Sequence, residues 1–118
     1  MPFSNRFPRV LCFGRDPRLL ETRRLVLARR FETVTVGSIE EMRALPVDEE
    51  FDVIVLCHSL SLEECDLSSE LARARWERAK IVALSIEQGD CSMDADQTVR
   101  GLDGPRFLLS TIDHLVAA

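Results

Sequence analysis

A chain of 118 residues holds one ordinary domain, and with 46% hydrophobic and 30% charged residues it can both bury a core and hydrate its surface. The net charge of −5 is uneven: residues 1–30 carry eight arginines against Asp16 and Glu21, a balance of +6, and the rest carries −11. Overall acidity argues against general nucleic-acid binding, and no apolar run approaches the roughly 20 residues of a membrane helix. Met1 to Arg6 lacks the apolar centre of a secretory signal, so a cytoplasmic protein with no membrane contact is expected. The basic N-terminal helix reads first as a solvated face, with an acidic partner as the alternative.

Residues 1–8 read as a loose lead-in, and residues 9–118 as one domain. Arg9 to Phe13 is a compact apolar run, strand one, ended by Gly14-Arg15-Asp16-Pro17. Asp16 is placed to cap helix one and Pro17 suits its first position. That helix runs to about Arg30, with Leu19, Leu20, Val26 and Leu27 as its buried stripe. Phe31 to Val36 is strand two. Ser38 with Glu41 is a capping box that opens a short helix two, stopped by Pro46. Phe51 to Ser59 contains four uninterrupted apolar residues after Asp52, a strand buried on both faces that ends at Cys57 and His58. Ser61 with Glu64 is a second capping box, and helix three extends to about Glu77. Lys80 to Ser85 is strand four and Glu87 to Ser92 a loop. A brief helix four is expected from Asp94 to Gly101, strand five over Arg106–Leu109, and a last helix of about two turns from Ser110. Strands alternating with helices at short spacing give a parallel sheet with right-handed crossovers.

Taken together and in order, these strings resemble the receiver domain of bacterial two-component response regulators, over nearly the whole chain. Asp16-Pro17-Arg18-Leu19-Leu20-Glu21 is similar to the start of a receiver's first helix. Phe31-Glu32-Thr33-Val34 through Ser38-Ile39-Glu40-Glu41 resembles its second strand and helix. Phe51 to Leu56 resembles its third strand, and Ile81 to Ser85 its fourth. The resemblance implies a CheY-like α/β fold, a three-layer sandwich with five parallel strands in the order 2-1-3-4-5. It also implies a phosphoryl-accepting aspartate at the end of strand three, an acidic Mg²⁺-binding pair after strand one, a hydroxyl ending strand four and a lysine ending strand five.

On that pattern the acceptor position falls on Cys57, and the acidic pair on Gly14 and Arg15, with Asp16 one residue late. The hydroxyl survives as Ser85, the switch aromatic falls on Phe107, and the lysine position falls on Ser110. Mg²⁺ takes oxygen ligands and phosphoryl transfer needs positive charge on its equatorial oxygens, so the set as it stands implies a degenerate receiver. The expected function is a phosphorylation-independent interaction module in signalling, not an enzyme, with no metal and no cofactor. Its partner is an unidentified signalling protein or a second copy, met through helix four, strand five and the last helix.

Two alternatives remain open on the residues. One is a small-molecule or anion site made of Arg15 and the N-terminus of helix one. The other is a redox sensor at Cys57, with Arg15 as the cation that acidifies it. Cys57 and His58 point to opposite sides of a strand, which makes zinc ligation with Cys65 awkward. No GxSxG elbow accompanies Ser59, Ser61 or Ser85. Cys12, Cys57, Cys65 and Cys91 match no framework spacing, so four free thiols are expected.

Overall fold

The computed structural model describes residues 8–57, 60–85, 95–100 and 105–117. In chain order they form β1 (Arg9–Phe13), α1 (Pro17–Leu27), β2 (Glu32–Val36), α2 (Ile39–Arg43), β3 (Val53–Leu56), α3 (Leu62–Arg75), β4 (Lys80–Ser85), β5 (Gln97–Arg100) and α4 (Pro105–Ala117). The five strands are parallel and lie in the order β2-β1-β3-β4-β5, as expected.

Alternation along the strands divides the core between the two faces of the sheet. Leu11, Phe13, Ile54, Leu56 and Ile81 pack with Met42 of α2 and with Cys65 and Ala72 of α3. Val10, Cys12, Val53, Val55, Val82, Leu84 and Val99 pack with Leu27 of α1 and with Leu108 and Ile112 of α4. Both faces of β3 are buried, which explains its unbroken apolar run.

Caps set the helix starts. The Asp16 carboxylate accepts from the N–H groups of Arg18 and Leu19, and Pro17 opens α1. The box at α3 closes fully: Ser61 accepts from Glu64 N–H while Glu64 accepts from Ser61 N–H. At α2 only half closes, because the Glu41 carboxylate accepts from Gly37 N–H instead of Ser38 N–H. Leu19, expected in the buried stripe of α1, is exposed.

The amino-terminal edge of the sheet is held by a clamp of cations and rings. The Arg9 guanidinium lies 5.1 Å from the Phe51 ring centroid, and Phe51 meets Trp76 edge-on at 5.1 Å. Trp76 Nε1–H donates to Glu49 C=O at 2.8 Å. Arg75 stacks over Trp76 and donates to the carbonyls of Met42, Leu45 and Pro46. The segment between α2 and β3 is thereby tied to the end of α3.

The last third of the chain differs from the sequence expectation. Strand five is Gln97–Arg100, not Arg106–Leu109, and no helix stands between β4 and β5 among the described residues. Asp96, which falls within the expected helix four, instead pins the strand start. Its N–H donates to Ile81 C=O at 2.8 Å, its carboxylate accepts from Ile81 N–H at 2.7 Å, and it pairs with Arg73. The last helix begins at Pro105 and has 13 residues, because Leu108 and Ile112 recur at helical spacing, with Leu115 and Val116 packed beyond them. Burying a side chain of this size contributes about 1.5–3 kcal/mol.

Candidate functional site

The carboxyl edge of the sheet collects the ends of β1 and β3. Cys57 follows β3 directly, and its N–H donates to Phe13 C=O at 2.9 Å. Gly14 follows β1, and its N–H donates to Val36 C=O at 3.2 Å. Both residues are buried. A Cβ on Gly14 would stand 3.1 Å from the Cβ and from the Sγ of Cys57, and 3.4 Å from Leu20 Cδ1. The thiol side chain therefore fills the space beside position 14, and neither residue offers a carboxylate.

Cys57 points to the α1/α4 side of the sheet and meets Cys12, with the two sulfurs 3.7 Å apart. Both thiols are free and buried. The hydrogen bond with Cys12 holds the Cys57 thiol below its ordinary value, burial opposes that effect, and the Arg23 guanidinium adds to it by its charge and by a hydrogen bond. Cys12 is pushed well up, first by the same sulfur contact and then by burial. The cation beside Cys57 is thus Arg23, not Arg15 as expected. Arg23 stands on the inner stripe of α1 between Leu20 and Leu27, at spacings of three and four, a position that normally carries an apolar side chain.

Arg15 turns outward, 54% exposed, and pairs with Glu64 at 2.9 Å. Glu64 also caps α3, so one carboxylate ties the loop after β1 to the start of α3. The other arm of the anticipated anion site, the N-terminus of α1, is engaged: Asp16 takes two of its N–H donors. A helix start already capped by a carboxylate is a poor place for a second anion.

The remaining expected positions separate. Ser85 ends β4, and its backbone is in register with Arg100 of β5. The residue that ends strand five is therefore Arg100, an arginine at the level of Ser85, and not Ser110. Ser110 lies within α4 and is exposed; Phe107 lies on the same helix and is 47% exposed, so neither belongs to a strand. His58 and Ser59 lie outside the described residues. Cys65 is disulfide-bonded, which corrects the expectation of four free thiols; Cys91 lies outside the described residues. Cysteine pairing follows distance in the fold, which sequence spacing does not report. Among the described residues, no three His, Cys, Asp or Glu side chains converge as metal ligands, and no helix is long and apolar enough to cross a membrane.

Sequence reasoning places Cys57, Gly14 and Asp16 just beyond strand ends, and β3 and β1 end at Leu56 and Phe13. It missed Arg23, Glu64 as the partner of Arg15, and Arg100. A charged residue on the inner stripe of α1 was the available signal for Arg23.

Neither a family model nor a curated protein matches the chain by sequence. Solved structures match in fold. A response regulator from Thermotoga maritima superposes with a TM-score of 0.78 at 14% identity, over 95% of this chain and 99% of that one. A CheY-like response regulator receiver domain from Methanospirillum hungatei gives 0.78 at 19% identity, over 94% of each chain. A protein described as related to pilus assembly, from Burkholderia pseudomallei, gives 0.74 at 13% identity, over 99% of this chain and 95% of that one. With five parallel strands in the same order and near-complete coverage, the chain has the CheY-like fold of receiver domains.

Proposed function

We propose that the chain is a signalling module of the receiver kind that works by protein contact and takes up no phosphoryl group. The observation that carries this is Cys57. At the carboxyl end of β3, where a receiver presents its acceptor carboxylate, stands a buried thiol packed against Gly14. Mg²⁺ binding needs oxygen ligands, and the space beside position 14 holds a sulfur. Arg15 turns away to Glu64.

The role is binding without catalysis, in the cytoplasm and with no cofactor. The contact surface is the edge of β5, which pairs with no further strand among the described residues, with the adjoining outer face of α4. An edge strand offers unpaired backbone groups. Phe107 is the one exposed aromatic among the described residues, and aromatic side chains are frequent anchors of interfaces. The partner is a signalling protein or a second copy of the chain.

Beryllofluoride with Mg²⁺ mimics a phosphoryl group on a receiver carboxylate. Titration of the wild-type chain should leave its melting temperature and its sedimentation coefficient unchanged. A saturable shift in either would overturn the proposal.

A further inference from the structure

Two free, buried thiols meet in the sheet core beside an arginine set into the inner stripe of a helix. Packing alone calls for neither the 3.7 Å sulfur contact nor the cation. Arg23 is half-buried and reaches Cys57 by its charge and by a hydrogen bond. We propose that Cys57, Cys12 and Arg23 form a peroxide-reactive site in which Cys57 is the attacking thiol and Cys12 the resolving one. The site is independent of the contact role proposed above.

The two sulfurs differ in the way such a pair requires. Arg23 reaches Cys57 by its charge and by a hydrogen bond, but Cys12 by its charge alone. The thiolate is the nucleophile, so the division of roles follows from the contacts. Burial of both sulfurs restricts the oxidant to small uncharged hydroperoxides.

The steps balance as a two-electron oxidation. The Cys57 thiolate attacks the outer oxygen of ROOH, an S–O bond forms, the O–O bond breaks, and the leaving RO⁻ takes a proton from solvent. Cys57 is then a sulfenic acid. The sulfur of Cys12 attacks it, the S–S bond forms, the S–O bond breaks, and the hydroxide leaves as water with the Cys12 proton. Two thiols and ROOH become one disulfide, ROH and water.

The register predicts what this bond would do. Cys12 stands opposite Val55, so Cys57 is two residues further along the neighbouring strand. Strand spacing and rise place such diagonal Cα atoms about 8 Å apart. Disulfides span roughly 4.4–6.8 Å between Cα atoms. Closing the bond must therefore slide the end of β3 back along β1, at the edge where Gly14 sits. A bond formed under that strain is readily reduced, so the site is reversible.

The test uses the full chain, first reduced with dithiothreitol, then treated with hydrogen peroxide, blocked with an alkylating agent and mapped by tandem mass spectrometry. The expected product is a Cys12–Cys57 cross-link that dithiothreitol reverses. Cys12→Ala should instead accumulate a Cys57 sulfenic acid that dimedone traps. Arg23→Leu should slow oxidation of Cys57 roughly tenfold near neutral pH, and Arg23→Lys should restore much of the rate. Cys12 and Cys57 remaining thiols after the urea-unfolded chain has fully reacted would overturn the proposal. So would oxidation of Cys57 in folded wild type without the cross-link, or an unchanged rate in folded Arg23→Leu. The wild-type map decides the matter even if a variant fails to fold.

Discussion

A Cβ on Gly14 would lie 3.1 Å from both the Cβ and the Sγ of Cys57, so the ends of β1 and β3 accommodate one side chain between them. Cys57 is buried and cannot move aside without disturbing the contact with Cys12. Gly14→Ala should therefore destabilise the fold by about 1–3 kcal/mol through overpacking. Cys57→Ala removes the Sγ contact but keeps the Cβ one, while opening a small cavity. The double variant should be more stable than the sum of the two single effects by about 1 kcal/mol, a coupling expected of residues in contact. Urea denaturation of the four proteins measures it, and strict additivity would mean the two positions do not share space.

Two serines that sequence reasoning treats alike should behave differently. Ser61 closes both halves of the capping box of α3, and Ser61→Ala should cost about 1 kcal/mol. Ser110 is exposed within α4, five residues past the helix start. Ser110→Ala should be neutral or stabilising by about 0.5 kcal/mol, because alanine is the better helix former. A loss at Ser110 as large as that at Ser61 would mean that a helix begins there. Thermal melts of the two variants decide it.

Arg75 holds three carbonyls and stacks on Trp76 from the end of α3. Arg75→Ala should destabilise the chain by about 2–3 kcal/mol, since hydrogen bonds to charged groups exceed neutral ones and the ring contact is lost as well. Arg75→Lys should recover little of this, because an ammonium cannot fork between carbonyls as a guanidinium does. Amide hydrogen exchange should rise in the segment between α2 and β3 in both variants. Equal stability of wild type and Arg75→Lys would show that charge alone suffices there.

How much of this was legible in the sequence depended on how many faces of each element are buried. β1, β3 and β4 read clearly because apolar residues occupy both of their faces. β5 did not, because it is an edge strand in which Gln97 and Thr98 are exposed and Val99 supplies its contact with the core. Arg106–Leu109 contains three apolar residues in a row and so took the strand's place in the reading. The helical recurrence of Leu108, Ile112 and Leu115 is present in the sequence, but starting the last helix at Ser110 cuts it. The carboxyl-edge residues after β1 and β3 were found because they follow from those strand ends. Arg23 was missed because a helical arginine is ordinarily solvated, and its inward placement is fixed by packing of α1 on the sheet.

Cys57→Asp tests whether the receiver-like edge lacks only its nucleophile. The substitution returns a carboxylate to a buried position, where desolvation disfavours its charge and Arg23 offsets only part of the cost. It supplies none of the Mg²⁺ ligands absent at Gly14 and Arg15. Each missing electrostatic contact typically costs on the order of 10²–10³ in rate. The variant should be less stable than wild type by about 1–3 kcal/mol and should remain unphosphorylated by acetyl phosphate. Phosphorylation of this single variant at a rate approaching that of a receiver domain would mean that the rest of the site is intact.

Phosphoryl uptake by the unaltered chain is the most direct measurement of all. Wild-type protein is incubated with acetyl phosphate and Mg²⁺ and weighed intact, with a phosphorylatable receiver domain as the positive control. A buried thiol at the end of β3 and a glycine at the end of β1 predict the unmodified mass while the control gains a phosphoryl group. A stable phosphoryl adduct on the wild-type chain would contradict the contact-only module.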